Sequence, residues 1–222
     1  MDYLYIEKGI KKVYISQIFA IIAALLIGCT ELVTSLYKNI IKGSSEKDSW
    51  IMILSLAVGV VLLAAVITSN LIGMIGYYQA SKDDPLFKKS MYCALTSCIL
   101  TVVGELLQIP NGMLYTVFTA SAMIVEMFVM VFAIAGLVNL SESQGWSDLS
   151  EKGDSLLKLL AVTYIISAVN ALIIRIFELS AESKMISFII NVIDSCLIII
   201  RYILYLRYLK GNILMLNNNV YS

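Results

Sequence analysis

Three ionisable side chains stand deep inside apolar stretches of this 222-residue chain: Glu126, Asp194 and Arg201. At 1.5 Å per residue, counted from Gly112 or Lys184, Glu126 lies about 21 Å, Asp194 about 15 Å and Arg201 about 25 Å below one face of a membrane. A charge at the centre of a spanning helix costs about 2.5–3.5 kcal/mol on insertion scales. Each of the three must therefore face a bundle interior, find a partner, or change its protonation. Their helical neighbours suit an interior. Thr119, Ala122, Glu126, Val129, Ala133 and Gly136 recur at alternating spacings of three and four, as do Asn191, Asp194, Ile198, Arg201 and Tyr205, so each set forms one stripe of a helix. The spacing predicts that Glu126, Asp194 and Arg201 converge. Arg201 can neutralise one carboxylate, and Asn191 can hydrogen-bond the other. The cluster then reads either as an inert buried network or as part of a proton, ion or substrate path.

A second layer, Glu31, Glu105, Arg175 and Glu178, falls within about 8 Å of the same face by the same count. Such residues anchor at an interface by snorkelling, and Arg175 and Glu178 are spaced to pair on one helix. The other reading of this layer is the rim of a cation-attracting vestibule.

Other chemistries are excluded by residue type. There is no histidine, and the four cysteines, Cys29, Cys93, Cys98 and Cys196, show no CxxC spacing, so no zinc, haem or other cofactor is expected. GxSxG and HExxH are absent, and Asp194 is the lone aspartate of any apolar stretch; the chain is expected not to be an enzyme. Net charge is zero and the basic residues are scattered, which sets nucleic acid aside. Lys11 and Lys12, followed by an apolar run ending in Leu26, Ile27, Gly28 and Cys29, match a lipoprotein signal. The run continues to Tyr37, however, too long for a signal h-region, and an uncleaved span is expected instead.

The elements that must position these residues are long apolar helices. The chain is 59% hydrophobic and 14% charged, with a mean hydropathy of +0.86, against about 45–50% and about 25% for an ordinary soluble domain. Six stretches reach the roughly 18 residues that a hydrocarbon core requires: 13–36, 51–78, 90–109, 113–139, 159–178 and 185–206. The expected fold is an all-α, polytopic, six-helix transmembrane bundle forming one domain over residues 1–222. Asp84 and Pro85 read as a cap and first helical residue, and Pro110, Asn111 and Gly112 as a tight turn. The segment from Trp146 to Leu157 reads as a short helix on the membrane surface or a solvated loop.

Ten basic residues (Lys8, Lys11, Lys12, Lys82, Lys88, Lys89, Lys152, Lys158, Arg207 and Lys210) fall on the side of the termini, against Lys38, Lys42, Lys47 and Lys184 on the other. Positive loops stay inside, so both termini are expected in the cytoplasm. Tyr14, Tyr77, Tyr78, Tyr92, Tyr205 and Tyr208 are expected to ring the inner interface, and Tyr37, Trp50 and Tyr115 the outer one. The residue usage, rich in isoleucine, lysine and asparagine with two prolines, suggests a bacterial inner membrane. Glu31, Glu105 and Glu178 are spaced by 74 and 73 residues and each precedes a leucine, a pattern that three tandem hairpins would produce.

Two functions fit. One is a small transporter or channel in which Glu126 and Asp194 bind a cation or carry a proton. The other is a non-catalytic membrane subunit (substrate-capturing, scaffold, immunity or assembly component) acting through partner helices. Its expected partners are the lipid bilayer and a membrane protein or a second copy of the chain.

Overall fold

The computed structural model describes residues 3–40, 47–107, 112–178 and 184–220; within these, the side chains of 27–29, 31–40, 47–55, 105, 107, 112–113, 171–172, 174–178, 184–188, 191 and 218–220 are not described. Six α-helices account for nearly all of it: α1 (Leu4–Ile40), α2 (Lys47–Ala80), α3 (Pro85–Leu107), α4 (Gly112–Ser143), α5 (Ser147–Glu178) and α6 (Lys184–Val220). Each helix packs on the next in sequence and α6 returns to α1, closing a ring across which α4 also touches α6. Both termini lie at one end, called the terminal end here, where Lys11 Nζ of α1 reaches Asn217 Oδ1 of α6 at 3.4 Å.

Four helical segments are long and apolar enough to cross a membrane: Leu4–Leu26, Leu56–Ala80, Pro85–Gly104 and Leu114–Ser143. They mark a membrane-embedded protein. Their outward faces are apolar, with Leu56, Val60, Leu63, Ile67 and Leu71 of α2 and Leu95, Ile99 and Val102 of α3 all exposed. The same holds for Val162, Ile165 and Val169 of α5 and for Ile189, Ile193 and Ile200 of α6. Those two helices also carry charges: Asp148, Glu151, Lys152, Asp154 and Lys158 in α5, and Asp194, Arg201, Arg207 and Lys210 in α6.

The tightest packing gathers at the terminal end. Ile6, Ile10, Phe87, Leu137, Leu156, Leu160, Leu209 and Met215 form one buried cluster there, while Lys8, Lys11, Lys152, Lys158 and Lys210 on the same helices are exposed. The helices are correspondingly longer than the apolar stretches. α1 starts at Leu4 rather than at 13, α5 at Ser147 rather than 159, and α6 runs on to Val220 rather than stopping at 206. Residues 147–157 are thus neither a separate surface helix nor a loop but the first turns of α5. Their apolar side, Leu149 and Leu156, belongs to the same cluster, and this tertiary burial outweighs the pull of an interface.

The turns at this end are set by local chemistry. Asp84 Oδ1 accepts the Leu86 N–H at 2.7 Å, with Pro85 in the first helical position, where its missing donor costs nothing. Between α4 and α5, Gly145 takes φ +76°. Its N–H donates to Glu142 O at 3.0 Å, while the Trp146 N–H reaches back to Ser141 O at 2.8 Å, a Schellman closure that glycine makes without strain. α1 is capped from a distance: Asp83 Oδ2 accepts the N–H groups of Tyr5 at 3.0 Å and Ile6 at 2.9 Å.

α1 and α2 cross with their backbones almost touching. A Cβ on Gly9 would stand 2.5 Å from Gly76 O and 2.7 Å from Ala80 N. Two turns on, Ser69 Oγ donates to Ser16 O at 2.8 Å, and Gly73 faces the Ser16 side chain. α3 and α4 pack through Gly104 against Phe118 and through Gly136 against the Phe87 ring. α5 packs more extensively on α4 than on its hairpin partner α6. The side chains of Glu31, Glu105 and Glu178, which carry the tandem-hairpin pattern, lie outside the described residues.

Candidate functional site: a polar layer inside the ring

α4 brings Glu126 into the ring because its stripe faces inward: Ala122, Val129, Ala133 and Gly136 are buried, with Thr119 and Glu126 half-buried. From α6, the Tyr202 hydroxyl donates to Glu126 Oε1 at 3.1 Å. Hydrogen bonds to a charged acceptor contribute roughly 1.5–3 kcal/mol, so this contact helps to hold a carboxylate away from water. The contact ties α4 to α6 across the ring.

Arg201 is 5% exposed. Its guanidinium lies over the Tyr164 ring, 4.0 Å from the centroid, an attraction of about 2 kcal/mol or more once desolvated. Arg201 immediately precedes Tyr202, which holds Glu126, so the two charges share one layer. They form no ion pair; among the described residues the salt bridge is Lys11 to Glu7, at the terminal end. Nη1 of Arg201 is buried without a hydrogen-bond partner.

Asp194 stands apart. It lies two turns from Arg201 on the same helix, about 10.5 Å along the axis, half-buried, with Oδ1 buried and unpartnered. The structure therefore brings Glu126 to the Arg201–Tyr202 segment and leaves Asp194 in a separate layer. The side chains of Asn191, and of Glu31, Glu105, Arg175 and Glu178, lie outside the described residues.

Three more tyrosines complete the layer. Tyr77 Oη and Tyr205 Oη approach to 3.5 Å, joining α2 to α6, and Tyr164 Oη donates to Met130 Sδ at 3.6 Å, joining α5 to α4. Tyr77, Tyr205 and Tyr208, expected in an interfacial belt, are instead inside the bundle at 4%, 0% and 6% exposure. Tyr78 and Tyr92 are exposed and Tyr14 half-buried. The reason is register: Tyr205 falls one turn from Arg201 on the same inward stripe, and Tyr77 adjoins Gly76 at the α1–α2 crossing. The periodicity of that stripe was the available signal. Tyr202, a step of 100° from Arg201 around the helix, left none.

The arrangement offers a carboxylate, a permanently charged guanidinium and phenols able to donate or accept, all inside an apolar ring. It can move or hold a proton or an ion. Among the described residues no three His, Cys, Asp or Glu side chains come together to hold a metal. In comparison with known proteins, the chain matches no family model, no curated sequence and no solved structure.

Proposed function

We propose that this protein is a non-enzymatic six-span transporter or channel-like protein of a bacterial inner membrane, with both termini in the cytoplasm and Glu126 as the coupling carboxylate. The observation that carries the reading is the Tyr202–Glu126 contact at 3.1 Å. A half-buried carboxylate on the inward stripe of α4 is held by a neutral phenol although a guanidinium shares its layer. A carboxylate locked by Arg201 would be inert; one held by a phenol can exchange a proton or cation.

Span number and orientation rest on composition and placement. The exposed apolar faces of α5 and α6 continue those of the four apolar helices, and the ten basic residues gather at the terminal end. Several lysines there sit over aromatic rings: Lys82 is 4.7 Å from the Tyr5 ring centroid, Lys88 5.9 Å from Tyr92 and Lys89 5.5 Å from Phe132, an arrangement suited to a cytoplasmic interface.

The test is flux in liposomes. Glu126→Gln keeps an acceptor for Tyr202, so it should purify with unchanged oligomeric state and helicity while losing flux or its pH dependence. In that pH profile Tyr202 is the hydrogen-bond partner of Glu126, and Arg201, which precedes it on α6, stays charged throughout. Unchanged flux with altered thermal stability would reduce the layer to a structural network. Co-purification with a stable heterologous membrane partner, and no flux without it, would point to the subunit function instead.

A further inference from the structure

Ser69 and Asn70 are adjacent on α2, yet the fold treats them oppositely. Ser69 turns to α1, where its Oγ donates to Ser16 O at 2.8 Å. Asn70, a step of about 100° further round the helix, is exposed. The apolar segment of α2 runs from Leu56 to Ala80, and Asn70 lies about 21 Å from the first and about 15 Å from the second at the helical rise per residue. Its carboxamide therefore faces outward at hydrocarbon depth. Other exposed polar side chains at such depth need no neighbour: Thr96 and Thr101 of α3 donate to the carbonyls of Tyr92 and Ser97 on their own helix, at 2.9 and 3.0 Å. A carboxamide carries an acceptor oxygen and two N–H donors, and no hydrogen bond ties that of Asn70 to any described residue. An amide left unmet in hydrocarbon is costly, because no solvent replaces the missing bonds, and in membranes asparagine is commonly met by a neighbouring helix.

The rest of that face is shaped for a helix. Leu56, Val60, Leu63, Ile67 and Asn70 recur at alternating spacings of four and three, and all are exposed, so they form the kind of seam along which two helices pack side by side. The amide itself indicates the occupant. It is self-complementary, since its oxygen can accept from an identical group while its N–H returns the bond. Two copies inserted in the same orientation are related by a two-fold axis along the membrane normal, which sets their α2 helices parallel and brings a residue near the axis against its own equivalent at the same depth.

We propose that a second copy of this chain covers the face, making the protein a parallel dimer across α2, joined by hydrogen bonds between the Asn70 carboxamides of the two copies and by the Leu56–Ile67 seam. The inference stands apart from the coupling role of Glu126, because the interior layer of each ring is left intact.

The experiment uses the full chain in a cysteine-free background, labelled with donor or acceptor dye at Ser81→Cys, reconstituted in phosphatidylcholine vesicles and read by energy transfer as lipid is added. Wild type should associate. Asn70→Leu should weaken association by about tenfold, the scale of an interhelical polar contact in a membrane, with unchanged helicity. Asn70→Gln, which keeps the carboxamide, should retain most of it, an outcome that a change in surface hydropathy alone would not produce. In the same background Leu63→Cys and Ile67→Cys should form disulfide-linked dimers under mild oxidation, while Ile99→Cys on the equally apolar face of α3 should not. Wild type that is monomeric at every lipid ratio overturns the proposal, as does Asn70→Leu that associates as tightly as wild type. Cross-linking at Ile99→Cys as fast as at Ile67→Cys overturns it too, since contact would then be random collision. A heterologous subunit that co-purifies in place of the second copy, and is lost in Asn70→Leu, would assign the face to another protein and overturn the dimer.

Discussion

Asp83 shows how much a single side chain can hold at the terminal end. Its Oδ2 accepts from both Tyr5 and Ile6, satisfying two of the four N–H groups that the start of α1 leaves without helical partners. Its charge also complements the positive end of that helix. Asp83→Ala should therefore cost about 1 kcal/mol, the usual worth of an N-cap, and should raise amide exchange over residues 4–10 before any other segment. Asp83→Asn should retain most of the protection because it keeps an acceptor oxygen. Tyr208 supports a second prediction. Burial, with a smaller contribution from the Asp154 charge, pushes its phenol up from 10.0 to about 12. A group whose folded value is raised keeps its stabilising contribution below its unfolded value and loses it as pH climbs toward the folded one. Stability should accordingly fall between pH 10 and about 12, and Tyr208→Phe should reduce the size of that fall in a thermal melt followed across this range.

Helices α1 and α2 are joined by backbone contact, and that sets what their crossing tolerates. Every atom that a Gly9 Cβ would meet first is backbone or the Cβ of Ala80, and a Gly76 Cβ would meet Gly9 O at 2.7 Å. None of these can swing aside, so Gly9→Ala and Gly76→Ala should each lower stability by about 1–3 kcal/mol through overpacking. Gly59→Ala is the internal control. Nothing stands within 4 Å of its Cβ position, and it should be neutral or slightly stabilising, as alanine favours helix over glycine. Gly73 meets Ser16 of α1 and Gly104 meets Phe118 of α4, close approaches of the kind that small residues permit. The existence of the helices and the inward stripe of α4 were legible in the sequence because apolar length and a 3.6-residue period are local properties. Helix ends at the terminal end were not. Lys8, Lys152 and Lys210 break a hydropathy window, yet each sits on the outer face of a helix whose opposite side, Ile6 and Ile10, Leu156 and Leu160, Leu209 and Met215, is buried. Which partner Glu126 meets depends on how α6 is rotated against α4, a tertiary choice that spacing along one helix does not encode; hence Tyr202 rather than Arg201 holds it.

The ring as a whole has two unlike ends, and the difference bears on its orientation. At the terminal end, α1, α5 and α6 carry lysines and an arginine outward on solvent-facing turns and close over one apolar cluster, so this end resembles a small soluble helical cap fused to the apolar ring. On the proposed orientation, a cap of that kind, basic on its surface, is expected on the cytoplasmic side, where positive segments are retained and anionic headgroups attract them. The expected outcome can be measured with single cysteines in a cysteine-free background and an impermeant thiol reagent. Cysteine placed at Ser81 in the α2–α3 turn and at Ser155 on the exposed face of α5 should be labelled only after cells are lysed. Cysteine placed at Ser45 or Ser183 should be labelled in intact cells. Ser155 carries the greatest weight, because it tests the cap itself. Its helix continues without a break into the segment bearing Ser167 and the outward Val162 and Val169, so its side of the membrane fixes the direction of α5. With Ser183 labelled from outside, α5 must cross, and α6 must cross back to bring Asn217 beside Lys11. Labelling of Ser155 and Ser183 from the same side would leave α5 lying along the membrane, reduce the spans to the four apolar helices, and take Arg201 and Tyr164 out of the interior layer on which the coupling reading depends.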